Sequence, residues 1–349
     1  MNDDKKYIIP ELSDEIEFNP LNNNEYILSN SKHKHYLKIN GDTYNLLLLI
    51  DGKRGVFEIC DLYNNKFDKK ITHKIISDLL FIKLLRFGII KGFEKYLKGY
   101  EKPSYLKLSF IIINERVLSK IVAVFYFLFN RRLAVFLIVS SMVITITLFL
   151  QNLNLFQAFN LQESLVYFMI IMSISLIFHE IGHATSTNYF GANHGGIGFG
   201  FYLLSPVYYA DVTDIWRLKK RERIIVNLSG IYFELIFCSI ISMIGYLTGN
   251  YILLVVSIAV FIHTLYNLNP FLRSDGYWIL SDLIETPNLA FHAIDKLKDV
   301  VRLFQGKDVK WTRIDLLLFF YGITNTFFIC FFLYYIIIKN PNSIILFHW

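Results

Sequence analysis

His179, Glu180 and His183 form a His-Glu-x-x-His motif near the middle of the chain. On a helix this spacing puts the two imidazoles on one face, one turn apart. Two nitrogen ligands in that arrangement suit Zn²⁺, and the glutamate between them suits the role of general base toward a water molecule. The motif therefore predicts a zinc centre for hydrolysis, with Glu180 as its catalytic residue.

The surroundings of the motif strengthen this prediction. No residue from Leu165 to Phe178 carries a charge, and the motif follows directly. Ionisable side chains are costly inside a membrane segment and generally have a function there. The alternative is a polar helix end with two hydrogen-bonded histidines, but it does not explain why three ionisable side chains cluster in an apolar helix.

The composition indicates a membrane protein. Hydrophobic residues make up 54% of the chain and charged residues 18%, below the ~25% typical of soluble proteins. Residues 1–118 are polar and lack a long apolar run, so we expect a cytosolic domain there and a transmembrane domain at 119–349. The chain opens on acidic residues with no apolar stretch after them, which predicts a cytosolic N-terminus at the cell membrane.

The apolar runs predict a mainly α, polytopic membrane helical bundle of about five spans. The expected spans are Leu133–Leu150, Leu165 to about Thr187, Ile224–Leu247, Tyr251 to about Leu268, and Leu316–Ile338. Basic residues concentrate in loops 191–223 and 270–314, whereas loops 151–164 and 248–250 have none, so the former should lie on the cytosolic side.

Two further features concern the chemistry near the motif. Residues 197–210 are uncharged and alternate glycine with aromatic residues, which predicts extended backbone at membrane depth, lying against protein or a water-filled cavity. Such a segment could hold a substrate strand. The three cysteines, Cys60, Cys238 and Cys330, lie far apart in sequence, which argues against a thiolate zinc site.

A catalytic zinc site usually takes a third protein ligand. Asp275 is favoured because it follows the fourth span on the side of the membrane where the motif lies, and Ser274-Asp275 should begin a short helix. His263, inside the fourth span, and His194, in a glycine-rich loop, are the alternatives. Glu234 is a single acid in the third span, for which we expect packing or a hydrogen bond to a neighbouring helix.

One further set of residues forms a pattern along the chain: His179 to Ala184, Gly191, Asn269-Pro270, Asp275-Gly276-Tyr277 and the stretch that continues to Leu289. By these residues the chain resembles the site-2 protease family of intramembrane zinc metalloproteases, and in particular a bacterial branch of peptide zinc metalloproteases found beside peptide-export and peptide-maturation genes. The resemblance implies that His179, His183 and Asp275 bind zinc, with Glu180 as the base. It also implies a peptide substrate, contact with membrane lipid and a peptide exporter as a partner.

The first 118 residues predict a small winged-helix-like α+β domain. The expected elements are a strand at Tyr36–Asp42, helices at Tyr44–Ile50, Val56–Asn64 and Thr72–Leu85, and a returning strand at Phe87–Ile90. The stretches Tyr44–Gly55 and Leu85–Ile90 resemble PqqD-like peptide-recognition domains, which implies that a leader peptide is added as a strand beside the wing. No arginine-rich recognition helix is present, so no nucleic-acid partner is expected.

Taken together, these features predict an intramembrane zinc endopeptidase that cleaves a membrane-associated or ribosomally synthesised peptide, in peptide maturation or export. The alternative is a non-catalytic membrane component of a peptide export or immunity system with a structural zinc site. Glu180 discriminates between them, because a structural site has no need of a base.

Overall fold

The structure is a computed structural model. It describes residues 9–22, 24–97, 106–152, 161–202, 205–306, 308–309 and 311–334. The chain forms two compact units, Met1–Phe261 and Ile262–Trp349, and each is described separately.

The first unit opens with a three-stranded antiparallel sheet. Its strands are β1 (Ile16–Asn22), β2 (Glu25–Asn30) and β3 (His35–Asn40), in the order β1-β2-β3, so that β3 forms one edge. The strand expected at Tyr36–Asp42 corresponds to β3. The strands β1 and β2 are not among the elements expected from the sequence.

Three helices follow this sheet: α1 (Gly41–Leu47), α2 (Val56–Phe67) and α3 (His73–Asp78). The first begins earlier than expected because the Asn40 side chain accepts a hydrogen bond from the Thr43 amide and caps the helix there. The third continues as a π-helical turn, Leu79–Leu84. Together the helices and the sheet enclose an apolar core around Leu28, Ile59 and Ile76.

The prediction of a returning strand at Phe87–Ile90 is wrong. Phe87 ends a short 3₁₀ turn, and Gly88 adopts a left-handed conformation with φ of 69°. The chain turns there, and within the described residues this stretch makes only an isolated bridge, between Ile90 and Leu12.

A second antiparallel sheet lies further along the chain. It consists of β4 (Leu106–Ile113), β5 (Ile197–Tyr202) and β6 (Ser205–Ala210), in that order. The two last strands confirm the extended backbone expected at 197–210. Gly198 pairs with Tyr209, and a Cβ at Gly198 would overlap the Tyr209 ring, so glycine leaves room for that ring.

Long helices make up most of the remaining first unit. They are α4 (Glu115–Val124), α5 (Arg131–Gln151), α6 (Leu161–Tyr189), α7 (Lys220–Thr248) and α8 (Tyr251–Asn267), the last of which runs into the second unit. The domain boundary expected at residue 118 stays a prediction. β4 precedes that boundary and pairs with β5, which follows it.

Four helices among the described residues are long and apolar enough to cross a membrane. They are Arg131–Gln151, Leu165–Tyr189, Lys220–Thr248 and Arg313–Phe331. The remaining expected span corresponds to α8, which has 17 residues, at the lower limit of a membrane-spanning length. The end of the last expected span, up to Ile338, lies outside the described residues.

Helices α6 and α7 pack closely where the His-Glu-x-x-His motif lies. A Cβ on Gly182, inside the motif, would lie 2.9 Å from the Phe233 ring and would overlap the Ser229 carbonyl oxygen. The absence of that Cβ lets the two helices approach to backbone contact, as small residues do between apolar helices.

The second unit contains α9 (Asp275–Ile284), α10 (Leu289–Phe304) and α11 (Arg313–Tyr334). The short helix expected to begin at Ser274-Asp275 is confirmed, with Ser274 at its N-cap. The apolar core of the second unit contains Tyr277, Leu289 and Tyr321. The Tyr321 hydroxyl donates a 2.9 Å hydrogen bond to the Pro270 carbonyl and ties α11 to the chain before α9.

Candidate metal centre

The two histidines of the motif point to a common position. His179 and His183 lie one turn apart on α6, both are buried, and their Nε2 atoms are 3.1 Å apart. The spacing expected from the sequence is therefore present, and the imidazoles converge through the same ring nitrogen.

The protonation of His183 follows from its second nitrogen. Nδ1 of His183 lies 2.8 Å from the Val226 carbonyl oxygen on α7. A carbonyl oxygen can only accept, so Nδ1 carries the proton and donates it. In the neutral ring, Nε2 then holds a lone pair, which is directed at His179.

His179 is held in the same way by a carboxylate. Its Nδ1 lies 3.2 Å from Oε2 of Glu234, which is completely buried on α7, and the Ser175 hydroxyl donates to the other carboxylate oxygen at 3.4 Å. A carboxylate that accepts from Nδ1–H fixes the tautomer and the ring orientation of a metal-binding histidine. Of the packing or hydrogen bond to a neighbouring helix that is expected for Glu234, the structure shows a contact with His179 on α6.

A stripe on α7 builds this half of the centre. Val226, Gly230 and Glu234 are spaced by four residues and therefore share one face of the helix. Gly230 lies between Val226 and Glu234, which accept the two Nδ1 protons. A Cβ on Gly230 would lie 2.6 Å from Nε2 of His179 and closer still to Nε2 of His183. Only glycine at this position leaves the space in front of both nitrogens open.

The donor set fits a zinc ion. With both Nδ1 protons donated to α7, two lone pairs face each other across 3.1 Å, an arrangement that a cation between them would stabilise. Two nitrogens bound tetrahedrally at about 2.0–2.1 Å from one zinc ion would lie about 3.3 Å apart. The observed separation is close to that value, and imidazole is a preferred zinc ligand.

Glu180 lies beside this pair and contacts the second sheet. The backbone N–H of Ala210, the last residue of β6, donates a 2.7 Å hydrogen bond to Oε2 of Glu180. The glutamate is half-buried, whereas both histidines are buried. Its carboxylate is therefore held in place by a strand while keeping some access to solvent.

The three candidates for a further ligand lie on different elements of the chain. Asp275 begins α9 in the second unit, where a Cβ on Gly276 would overlap the Leu268 carbonyl, so glycine permits the close turn expected there. His263 lies on α8, with Nδ1 3.4 Å from the Asn267 amide nitrogen. The ligand role of Asp275 stays a prediction.

His194 belongs to another cavity. Its Nδ1 donates to the Gly195 carbonyl at 2.7 Å, and the ring lines a polar cavity of about 190 Å³ that also contains Lys34, Tyr36 and Asp211. Neither His179 nor His183 lines that cavity.

The fold and the site together define a class: a mainly helical protein with helices of membrane-spanning length, a buried pair of converging imidazoles and an adjacent carboxylate. A relative from Bacillus subtilis (strain 168), named "Putative peptide zinc metalloprotease protein YydH", is 27% identical over 234 residues. The similarity covers 66% of this chain and 84% of that protein. No family model matches the chain. No solved structure matches it either.

Proposed function

We propose that this protein is an intramembrane zinc endopeptidase that cleaves a membrane-associated or ribosomally synthesised peptide during peptide maturation or export. The observation that carries the proposal is the convergence of the two Nε2 atoms at 3.1 Å, with Glu180 next to His179 on the same helix. The name of the B. subtilis relative supports the same class of activity.

His179, His183 and Asp275 would hold the zinc ion. When bound, zinc supplies Lewis acidity, which lowers the pKa of a water molecule toward about 7 and polarises the scissile carbonyl. Glu180 takes the proton of the attacking water and passes it to the leaving amine. Glu234 and the Val226 carbonyl keep the two imidazoles in the tautomer that presents Nε2.

The first sheet offers a surface on which a peptide could be recognised. A groove of about 490 Å³ runs beside the edge strand β3 and is lined by Leu37, Ile39, Leu84 and Phe87. An extended peptide could pair with β3 and place alternate side chains in this groove. Recognition of a leader peptide there would bring the substrate to the membrane part of the chain.

Basic residues support a cytosolic N-terminus in a multi-pass protein. Five lysines and arginines lie between Arg217 and Arg223, where α7 begins, whereas the turn at 248–250, where α7 ends, has none. Short loops rich in Lys and Arg favour the cytosolic side. In this orientation the protein would contact membrane lipid along its apolar helices and work with a peptide exporter.

The proposed activity is tested in liposomes that contain the purified protein and a library of peptides with one apolar segment. New peptide termini should form with wild-type protein, disappear on treatment with a zinc chelator, and return when zinc is added back. As a control, Asp308→Asn, which changes an exposed side chain, should behave like the wild type. Termini that form equally well under chelation, or none with zinc-loaded protein, would contradict the proposal.

A further inference from the structure

Two aspartates in the segment that follows β6 contact the first sheet and the turn that precedes its edge strand β3. The Lys34 ammonium lies 2.7 Å from Oδ2 of Asp211. The Tyr36 hydroxyl, on β3, donates a 2.6 Å hydrogen bond to Oδ1 of Asp214. A third contact, 3.3 Å between Arg217 and Glu17 of β1, lies beside them. Residues 211–217 therefore form a junction with the N-terminal sheet, called the junction below.

The junction is ordered from its other side by hydrogen bonds to the loop before β5. The Gly195 amide donates to the Asp211 carbonyl at 2.6 Å, and the Asn193 amide donates to Oδ2 of Asp214 at 2.7 Å. The Thr213 hydroxyl donates to Oδ1 of Asp211 at 2.8 Å. Each aspartate thus joins the first sheet to the loop that leads into β5.

Both acidic contacts are intact at neutral pH. Burial raises the pKa of Asp211, but hydrogen bonds from Lys34 and Thr213 outweigh that effect, so the pKa lies below its ordinary value. Burial and the hydrogen bond to Asp214 raise the pKa of Tyr36, which keeps its hydroxyl protonated as a donor. The ion pair and the hydrogen bond therefore persist through the physiological range.

The junction begins one residue after Ala210, whose backbone contacts the proposed general base Glu180. Asp211 follows Ala210, whose N–H donates to Oε2 of Glu180 at 2.7 Å. The planar peptide group between the two residues contains the Ala210 Cα and carbonyl and the Asp211 N–H, so a shift of Asp211 moves the Ala210 Cα and through it the Ala210 N–H. The position of the first sheet is thereby connected to the Glu180 carboxylate through a single strand end.

We propose that Lys34 and Asp211 are positioning residues, which hold the end of β6 so that the Ala210 amide fixes Glu180 for proton transfer. Cleavage then depends on the N-terminal sheet being seated at the junction, in addition to any role of that sheet in binding the peptide. This inference rests on the proposed role of Glu180 as general base.

The first test needs no substrate. Hydrogen exchange of the Ala210 amide is measured with single-residue resolution in the full-length protein. Glu180→Ala removes the acceptor and should accelerate this exchange by about fivefold. Lys34→Ala should also accelerate it, whereas Lys91→Ala, which removes a lysine paired with Glu11 at 2.6 Å, should not. Wild-type exchange of Ala210 in the Lys34→Ala variant, or in Glu180→Ala, would overturn the proposal.

The second test separates positioning from peptide binding. Lys34→Ala should lower kcat by about tenfold and leave KM and the zinc content unchanged, since a small misplacement of a catalytic group slows turnover. Lys34→Arg keeps the charge and should restore most of kcat. A raised KM with unchanged kcat, or failure of Lys34→Arg to restore activity, would contradict positioning. If the wild-type protein cleaves no peptide, the proposed function fails, while the exchange of Ala210 still decides whether the junction holds β6.

Discussion

Glu234 lies completely buried on α7, with Oε2 3.2 Å from Nδ1 of His179 on α6. A buried carboxylate is costly unless it is paired or hydrogen-bonded. Here it accepts from an imidazole N–H and from the Ser175 hydroxyl. The charge that the carboxylate brings is balanced when a cation binds on the far side of the imidazole, so Glu234 and a metal ion should stabilise each other.

Glu234→Gln should therefore weaken zinc binding by about 10- to 100-fold, because the charge is lost while the shape of the side chain is kept. The measurement is a competition titration with a chelator of known affinity. Glu222→Gln is the matched control on the same helix, since glutamine can still cap the helix start at Lys219. Equal zinc affinity in Glu234→Gln and wild type would contradict a role for Glu234 in holding His179.

The third zinc ligand is tested by a pair of variants. Asp275→Ala should lower zinc affinity and abolish cleavage, since a carboxylate would be lost from the metal. His263→Ala should keep its zinc, because the ring lies on α8 near Asn267 and is assigned no ligand role. Zinc content after dialysis decides between them. Zinc retained in the first variant and lost in the second would make His263 the ligand.

Much of the candidate site could be predicted because its signals are local. The motif spacing gives two histidines on one face of α6, and Ser274 before Asp275 gives the start of α9. Glycine alternating with aromatic residues indicated the backbone of β5 and β6.

Other features depend on which elements pack together, and the sequence does not display that. The contact between Glu234 and His179 requires the register of α7 against α6. A stripe of three residues spaced by four, Val226, Gly230 and Glu234, was the available signal, but many helices carry such stripes. The strands β1 and β2 were missed because Asn, Pro and Glu interrupt their alternation. The prediction of a strand at Phe87–Ile90 is wrong because Gly88 turns the chain.

The ion pair at the junction should depend on pH. The pKa of Asp211 is lowered in the folded protein, so the pair stabilises the fold at pH values above the unfolded pKa of about 3.9. That stabilisation is lost as pH falls through the lower, folded pKa. The difference in Tm between wild type and Asp211→Asn should thus be largest near neutral pH and shrink toward pH ~3. A difference that grows on acidification would contradict the ionised pair.

The groove beside β3 predicts a change in substrate binding without a change in chemistry. Leu37→Glu puts a charge into this groove and should raise KM, with kcat unchanged, because capture of the peptide is weakened. Leu48→Glu is the matched control, since Leu48 is 56% exposed and does not line the groove. Steady-state kinetics with one cleaved peptide give both constants. Equal KM for the two variants would exclude recognition in this groove.

The central claim is that a zinc ion held by His179 and His183 works together with Glu180 to cut a peptide bond. It is tested most directly by the cleavage rate of Glu180→Gln at a measured zinc content. Glu180 is not a ligand in this account, so the variant should retain about one zinc ion per chain, as in wild type. Its cleavage rate should fall by about 10²- to 10⁴-fold, the usual loss when a general base is removed. A zinc-loaded Glu180→Gln variant that cleaves at nearly the wild-type rate would contradict the account.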